Sequence, residues 1–229
     1  TIFNVPEPGS VLDGFTVANG QSHRGGGIRL ENSFMTVRNC IFEDNVATGN
    51  AMESIEALGG AIFSLHSPMI IENCTFRRNS ARVPSVTGTE SLTATSAYGG
   101  GIYAQPGNGT FIDCIFDANT ATGGAVFTQT SVNNTAHAIA GSGFGGAICI
   151  WDRFFQTDDF IINCQFLNNS ASGGDSKSYH QADSHAGHAF GGAIYIDESW
   201  DTTFETCHFT GNTSQAGRAE KVGGNKSSC

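Results

Sequence analysis

GGAIFSLHSPMIIENCTFRRN, residues 59–79, decides the fold. It opens on a glycine pair, a small residue and isoleucine, and it closes on Cys74, Phe76 and Asn79 in a C-x-F-x-x-N frame. Both frames recur. GGGI at 25–28 precedes Cys40, Phe42 and Asn45, and GGGI at 99–102 precedes Cys114, Phe116 and Asn119. GGAI at 145–148 precedes Cys164, Phe166 and Asn169, and GGAI at 191–194 precedes Cys207, Phe209 and Asn212. A degenerate earlier copy, LDGFTVANG, carries Asn19, and a further pair stands at Gly223 and Gly224. Self-similarity at a near-fixed period is the signature of a repeat architecture.

The spacing separates scaffold from insertion. From motif Ile to motif Cys is 12 residues in the first three copies, then 16 and 13, whereas successive motif Ile residues lie 34, 40, 46 and 46 apart. The variation therefore sits mostly between the Asn and the next glycine pair, in Ser-, Thr-, Ala- and Gly-rich connections that reach 25 residues between Asn119 and Gly145. An invariant unit of about 20 residues closed by an elastic connection is one coil of a solenoid.

The unit is made of strands. FMTVRNCIF, MIIENCTF, TFIDCIF, FIINCQF and TFETCHF are short β-branched and aromatic runs with period-two character. Alternation places Cys and Phe, two apart, on one face. Stacking coil on coil then gives an inward column of Phe and another of Cys40, Cys74, Cys114, Cys164 and Cys207, read first as small buried hydrophobes. Neighbouring coils bring these cysteines near disulfide separation, so bridged pairs are an open alternative. Asn19, Asn45, Asn79, Asn119, Asn169 and Asn212 are expected to form a ladder at a corner, because stacked carboxamides satisfy one another and asparagine tolerates left-handed backbone. The expected fold is all-β: a single-stranded parallel β-helix of about six coils, with long loops at one corner.

Composition agrees with this and excludes much else. The 229 residues hold 30 Gly, 5 Pro, 11 Lys plus Arg, 21 Asp plus Glu and 39% hydrophobic residues. That is enough apolar content for a core, and glycine runs at nearly twice the usual share of about 7% without a collagen triplet. A formal net charge of −10 argues against nucleic acid or an anionic membrane as partner. No apolar run approaches the roughly 20 residues of a membrane span.

The GGAI and FxxN repeats resemble those of right-handed parallel β-helix proteins, particularly the polymorphic outer membrane proteins of chlamydiae and related adhesin-like surface proteins. The resemblance covers Val11 to Gly224. It implies a right-handed helix and a structural or adhesive role, outside the cell or on its surface, in which variable loops contact protein or glycan. The loops after Asn79, Asn119 and Asn169, long and polar, are the expected contact surface. Because the chain shows no amphipathic capping helix at either end, residues 1–229 are expected to be one β-helix domain that is a fragment of a longer solenoid or an assembly subunit, its partners being other chains or flanking coils. No cofactor is expected.

Three constellations compete with the scaffold reading. Alignment after each GGAI stacks Asp152 over Glu198, with Asp197 beside them and His66 two coils earlier. Carboxylates about 5 Å apart are the acid/base and nucleophile pair of retaining glycosidases, so a polysaccharide-active lyase or hydrolase is the alternative function. The plain reading is a polar turn in water. His180, Asp183, His185 and His188 are weak metal-ligand candidates in the stretch HQADSHAGH, against a solvated flexible loop. Trp151, Trp200 and Tyr179 are possible sugar-stacking aromatics, but lone rings near strand ends usually close a core, and only a row on one face would distinguish them. Among the N-x-S/T sequons, Asn108 and Asn133 lie in turn or loop contexts and are the better glycan acceptors, whereas Asn212 belongs to the ladder. Cys149 and Cys229 fall outside the cysteine column.

Overall fold

Short apolar runs separated by corner residues give each coil a series of two- to five-residue strands, and every strand pairs in parallel with its counterparts in the coils before and after. The computed structural model describes residues 1–5, 9–106, 109–129, 136–151, 158–179, 182–197 and 201–222. Four six-stranded sheets form the shaft. In the third coil their strands are Ile62–Leu65 (sheet I), Met69–Glu72 (sheet II), Thr75–Arg77 (sheet III) and Ser80–Arg82 (sheet IV). Register is set by the repeat: Ile62 pairs with Ile28 and Ile102, and Phe76 with Phe42 and Phe116.

The columns follow from that register. Phe42, Phe76, Phe116, Phe166 and Phe209 stack with ring centroids 4.8, 4.9, 4.9 and 4.8 Å apart. This matches the strand spacing of about 4.8 Å. The five column cysteines are free thiols at the corner between sheets II and III. Each Sγ lies within donating reach of two carbonyl oxygens, one in its own coil and one in the coil before; for Cys74 these are Glu72 at 3.2 Å and Val37 at 3.7 Å. A thiol is small enough for the corner and weakly polar enough to meet its carbonyls.

Asn45, Asn79, Asn119, Asn169 and Asn212 form the amide ladder, each of the first four passing backbone and side-chain N–H groups to the Oδ1 of the next. Two expectations are corrected. Asn19 is not a rung: Gln21 pairs with Val46, which places Gly20 opposite Asn45, and the Gly20 N–H donates to Asn45 Oδ1. Nor do the rungs take the left-handed backbone; the residue before each does, as Asn19, Asp44, Arg78, Ala118, Asn168 and Gly211 all have φ between 53° and 67°.

The long connections also differ from the loops expected of them. They stack as three further parallel sheets. Val86–Gly88, Val126–Thr128, Ser176–Tyr179 and Ala219–Val222 form sheet V; Leu92–Thr93, Ala138–Ile139 and Ser184–His185 form sheet VI; Ala57–Leu58, Ala97–Tyr98, Gly143–Phe144 and Ala189–Phe190 form sheet VII. This second lobe has its own small-residue core, including Ala57, Ala81, Val83, Ala97, Val126 and Ala138. The glycine pair is the seam between lobes. The first glycine of each pair has φ of 61–65°. A Cβ on the second would strike backbone, for Gly60 at 2.0 Å from the Gly100 oxygen and 2.6 Å from the Ser80 nitrogen.

Candidate functional site

The residues flanking each glycine pair build the outer face of sheet I and its junction with sheet VII. Immediately before the pairs stand Leu58, Tyr98, Phe144 and Phe190; immediately after the motif isoleucines stand Phe63, Tyr103, Cys149 and Tyr195. Since the isoleucines enter the shaft core, alternation turns their successors outward. There the two rows meet. Leu58, Phe63, Tyr103 and Cys149 are buried, with Leu65, Tyr98, Phe144, Trp151 and Tyr195 packed against them.

Ring geometry shows how the face is made. Tyr98 stacks on Phe144 at 4.7 Å and Phe144 on Phe190 at 5.1 Å, so both faces of Phe144 are taken. Its edge therefore meets Trp151, 6.4 Å away at 84°, and Tyr98 meets the same indole at 5.6 Å and 85°. Such edge-to-face contacts fix ring orientation and contribute about 0.5–1.5 kcal/mol each. The Arg24 and Arg29 guanidinium groups lie 5.7 and 6.0 Å from the Phe63 centroid, within cation–π range.

Above this base is a cleft of about 210 Å³ lined by Glu56, Tyr98, Tyr103, Gln105 and Trp151. The Tyr103 hydroxyl donates to Gln105 Oε1 at 2.8 Å, which leaves the Gln105 amide nitrogen as a donor. Glu56 and Ser96 act on the Tyr98 hydroxyl, whose pKa desolvation raises. Glu56 is exposed as a residue and lines the cleft, and desolvation raises its carboxyl pKa against the opposing effects of Tyr98 and the Arg24 charge. Burial likewise pushes the Tyr98 and Tyr103 phenols and the Cys149 thiol upward. These phenols are neutral hydrogen-bonding groups throughout the physiological range.

The candidates named from sequence distribute differently. Asp197 pairs in register with Trp151 at the end of sheet I, while Asp152 and Glu198 lie outside the described residues. Asp183 faces His137, whose Nδ1 accepts its backbone N–H at 3.2 Å, and His185 pairs with Ile139 on sheet VI. His185 and His188 are thus held in the stacked second lobe rather than in a flexible loop. Among the described residues no three His, Cys, Asp or Glu side chains gather at metal-binding distance, and His180 lies outside them. Asn108, Asn133, Trp200 and Cys229 are also outside the described residues. Tyr179 stands on sheet V beside Lys177, away from the aromatic row.

Sequence reasoning singled out Trp151 and missed the rest of the cleft. The signal was available: an aromatic or leucine precedes the glycine pair and an aromatic or cysteine follows the motif isoleucine in each of the later four copies.

The family described as "Right handed beta helix region" matches residues 11–158, more than half of the chain. The protein belongs to this right-handed β-helix family. No curated protein and no solved structure matches it.

Proposed function

We propose that this protein is a structural, adhesive β-helix segment that acts outside the cell or on its surface and holds a broad, rigid lateral face against a protein or glycan partner. The observation that supports the reading is the stacked second lobe. Segments that differ most from coil to coil are held by the same parallel ladder as the shaft, so coil-specific side chains occupy fixed positions about 4.8 Å apart. A repetitive frame carrying non-repetitive outer side chains is suited to extended contact.

The two end coils are a second place of contact in this reading. Val11 and Phe15 in the first coil, and Phe204 and Phe209 in the last, are 59, 58, 44 and 48% exposed. Flanking coils of the same protein, or another chain, are the partners that would cover them.

The test is binding of the intact protein to immobilised matrix proteins and to a glycan array, with a polysaccharide-cleavage assay run beside it. Saturable binding without turnover is expected. Turnover of a polysaccharide, abolished by Asp152→Asn with Glu198→Gln, would replace this reading with the enzymatic one.

A further inference from the structure

The outer face of sheet II changes character along the shaft. Met69, Ile71, Phe111 and Ile161 enter the shaft core, so alternation turns Ile70, Glu72, Ile112, Phe160 and Ile162 outward. Register builds two outer columns. Arg38, Glu72, Ile112, Ile162 and Glu205 stack in one, and Thr36, Ile70, Thr110, Phe160 and Thr203 in the other. Strand formation asks only for a β-branched side chain, which Thr36, Thr110 and Thr203 supply at the same positions. Ile70, Ile112, Phe160 and Ile162 therefore exceed what the fold requires, and they adjoin one another in the third to fifth coils. Phe160 is 39% exposed. An apolar patch inside a polar rim marks a surface for a macromolecular partner.

The rim is acidic. Glu72 and Glu205 close the isoleucine column at its two ends, three strand steps or roughly 14 Å apart. Asp113 stands exposed at the corner after Ile112, and Asp158 and Asp201 pair in register at the strand starts, like charge beside like charge. Arginines on this side of the shaft lie in the second and third coils and are engaged: Arg38, next to Glu72 in its column, with Asp13 at 2.9 Å, Arg77 with Glu43 at 2.6 Å and Arg78 with Asp44 at 2.8 Å. Among the described residues the later strands of sheet II, Gly109–Ile112, Asp158–Ile162 and Asp201–Glu205, hold no Lys or Arg. Charge complementarity then selects a cationic occupant. We propose that this patch docks a basic protein segment, which sets an aliphatic side chain on Ile112 and Ile162 and one cation against each of Glu72 and Glu205. The inference rests on the protein branch of the proposed function and places that contact on the shaft. An extended chain covers roughly 14 Å in four residue steps, and alternate side chains share a face, so the fitting sequence is Lys-x-Val-x-Lys.

The experiment titrates the full chain with the end-capped peptide Lys-Ser-Val-Ser-Lys, its acidic twin Glu-Ser-Val-Ser-Glu and its apolar deletion Lys-Ser-Ser-Ser-Lys, read by amide NMR, which reports affinity and place together. Capture of the same chain on immobilised matrix proteins and glycans runs beside it. The first peptide is expected to bind saturably, to shift the Ile70, Ile112 and Ile162 amides, and to weaken as salt shortens the Debye length. Both twins should bind about tenfold less tightly or worse. Glu72→Gln with Glu205→Gln should weaken binding about tenfold at an unchanged melting temperature, and so should Ile112→Thr with Ile162→Thr. Glu53→Gln, in the connection before sheet VII, should bind as the parent does. Equal binding of the serine-centred peptide overturns the apolar part of the site, and binding of the acidic twin overturns the charge assignment. Peptide binding that both double variants retain overturns the location. Adherence to a matrix protein, undiminished in either double variant, overturns the inference and spares the adhesive reading; peptide binding at this face without adherence to any matrix protein or glycan upholds the site and removes that reading. The glutamine pair keeps side-chain shape, so it remains informative should the threonine pair fail to fold.

Discussion

The side-chain oxygen of Asn119 accepts two hydrogen bonds from Asn79, from the backbone N–H at 3.0 Å and from the amide at 2.9 Å. The Asn119 amide in turn donates to Phe76 O and to Asn169 Oδ1. Every polar atom of the rung is used, and both residues are fully buried. Removing one rung leaves several buried groups unpaired at about 1–3 kcal/mol each. Asn119→Ala is therefore expected to lower the unfolding free energy by about 3–5 kcal/mol in urea titration. Asn212→Ala, in the half-exposed end coil where water can substitute, should cost only about 1 kcal/mol.

The glycine pairs test the seam between lobes. Gly60→Ala places a Cβ 2.0 Å from the Gly100 carbonyl oxygen, inside backbone that cannot move without shifting a whole coil. A loss of about 3 kcal/mol or more is expected, or no folded protein. Gly14→Ala is the control: its φ is +77°, but no atom lies within 4 Å of the added carbon, so only the left-handed strain of about 1–2 kcal/mol applies. Comparable melting temperatures for the two variants would show that the close approach at Gly60 is not real.

Burial pushes the Cys74 thiol from 9.0 up to about 12. A folded-state pKa above the unfolded one favours the neutral thiol, so its contribution to stability is whole below pH 9 and is lost as pH climbs toward 12. Denaturation midpoints should fall between about pH 9 and 11, and the fall should be shallower in Cys74→Ala. At neutral pH, alkylation mapped by mass spectrometry should modify the partly exposed Cys207 before Cys74, Cys114 and Cys164. Rapid labelling of Cys114 in the native protein would contradict the buried column.

The shaft was legible because one short unit repeats its chemistry: a Phe must stack on a Phe and an Asn must bond an Asn, so both stay visible. The ladder was misread at its first rung because Asn19 precedes the true position by one residue, and only strand register reveals that Gly20 occupies it. The left-handed corner beside the ladder leaves no residue signature, being Asp44, Arg78, Ala118 or Asn168 in successive coils. Sheets V to VII were hidden for a different reason. Their strands are two to four residues long and rich in Ala, Ser, Thr and Gly, and they are strands because neighbouring coils supply partners, not because of local β propensity. The cleft was half legible: Trp151 stood out alone, while Tyr98 and Tyr103 were visible as repeat positions beside the glycine pair and the motif isoleucine, but not as neighbours, which only the seam between sheets I and VII makes them.

The order of the second lobe is what the functional reading depends on, and amide hydrogen exchange measures it directly. The Val86, Val126 and Ser176 N–H groups donate to Ala125, Asp175 and Arg218 carbonyls at 2.9, 2.8 and 2.8 Å, as Thr75 and Ile115 of the shaft donate to Cys40 and Cys74 at 2.9 Å. Protection at Val86 and Val126 should approach that at Thr75 and Ile115. Exchange of the sheet V amides at the rate of an open chain, with the shaft still protected, would return these segments to loops and remove the rigid face on which the account rests.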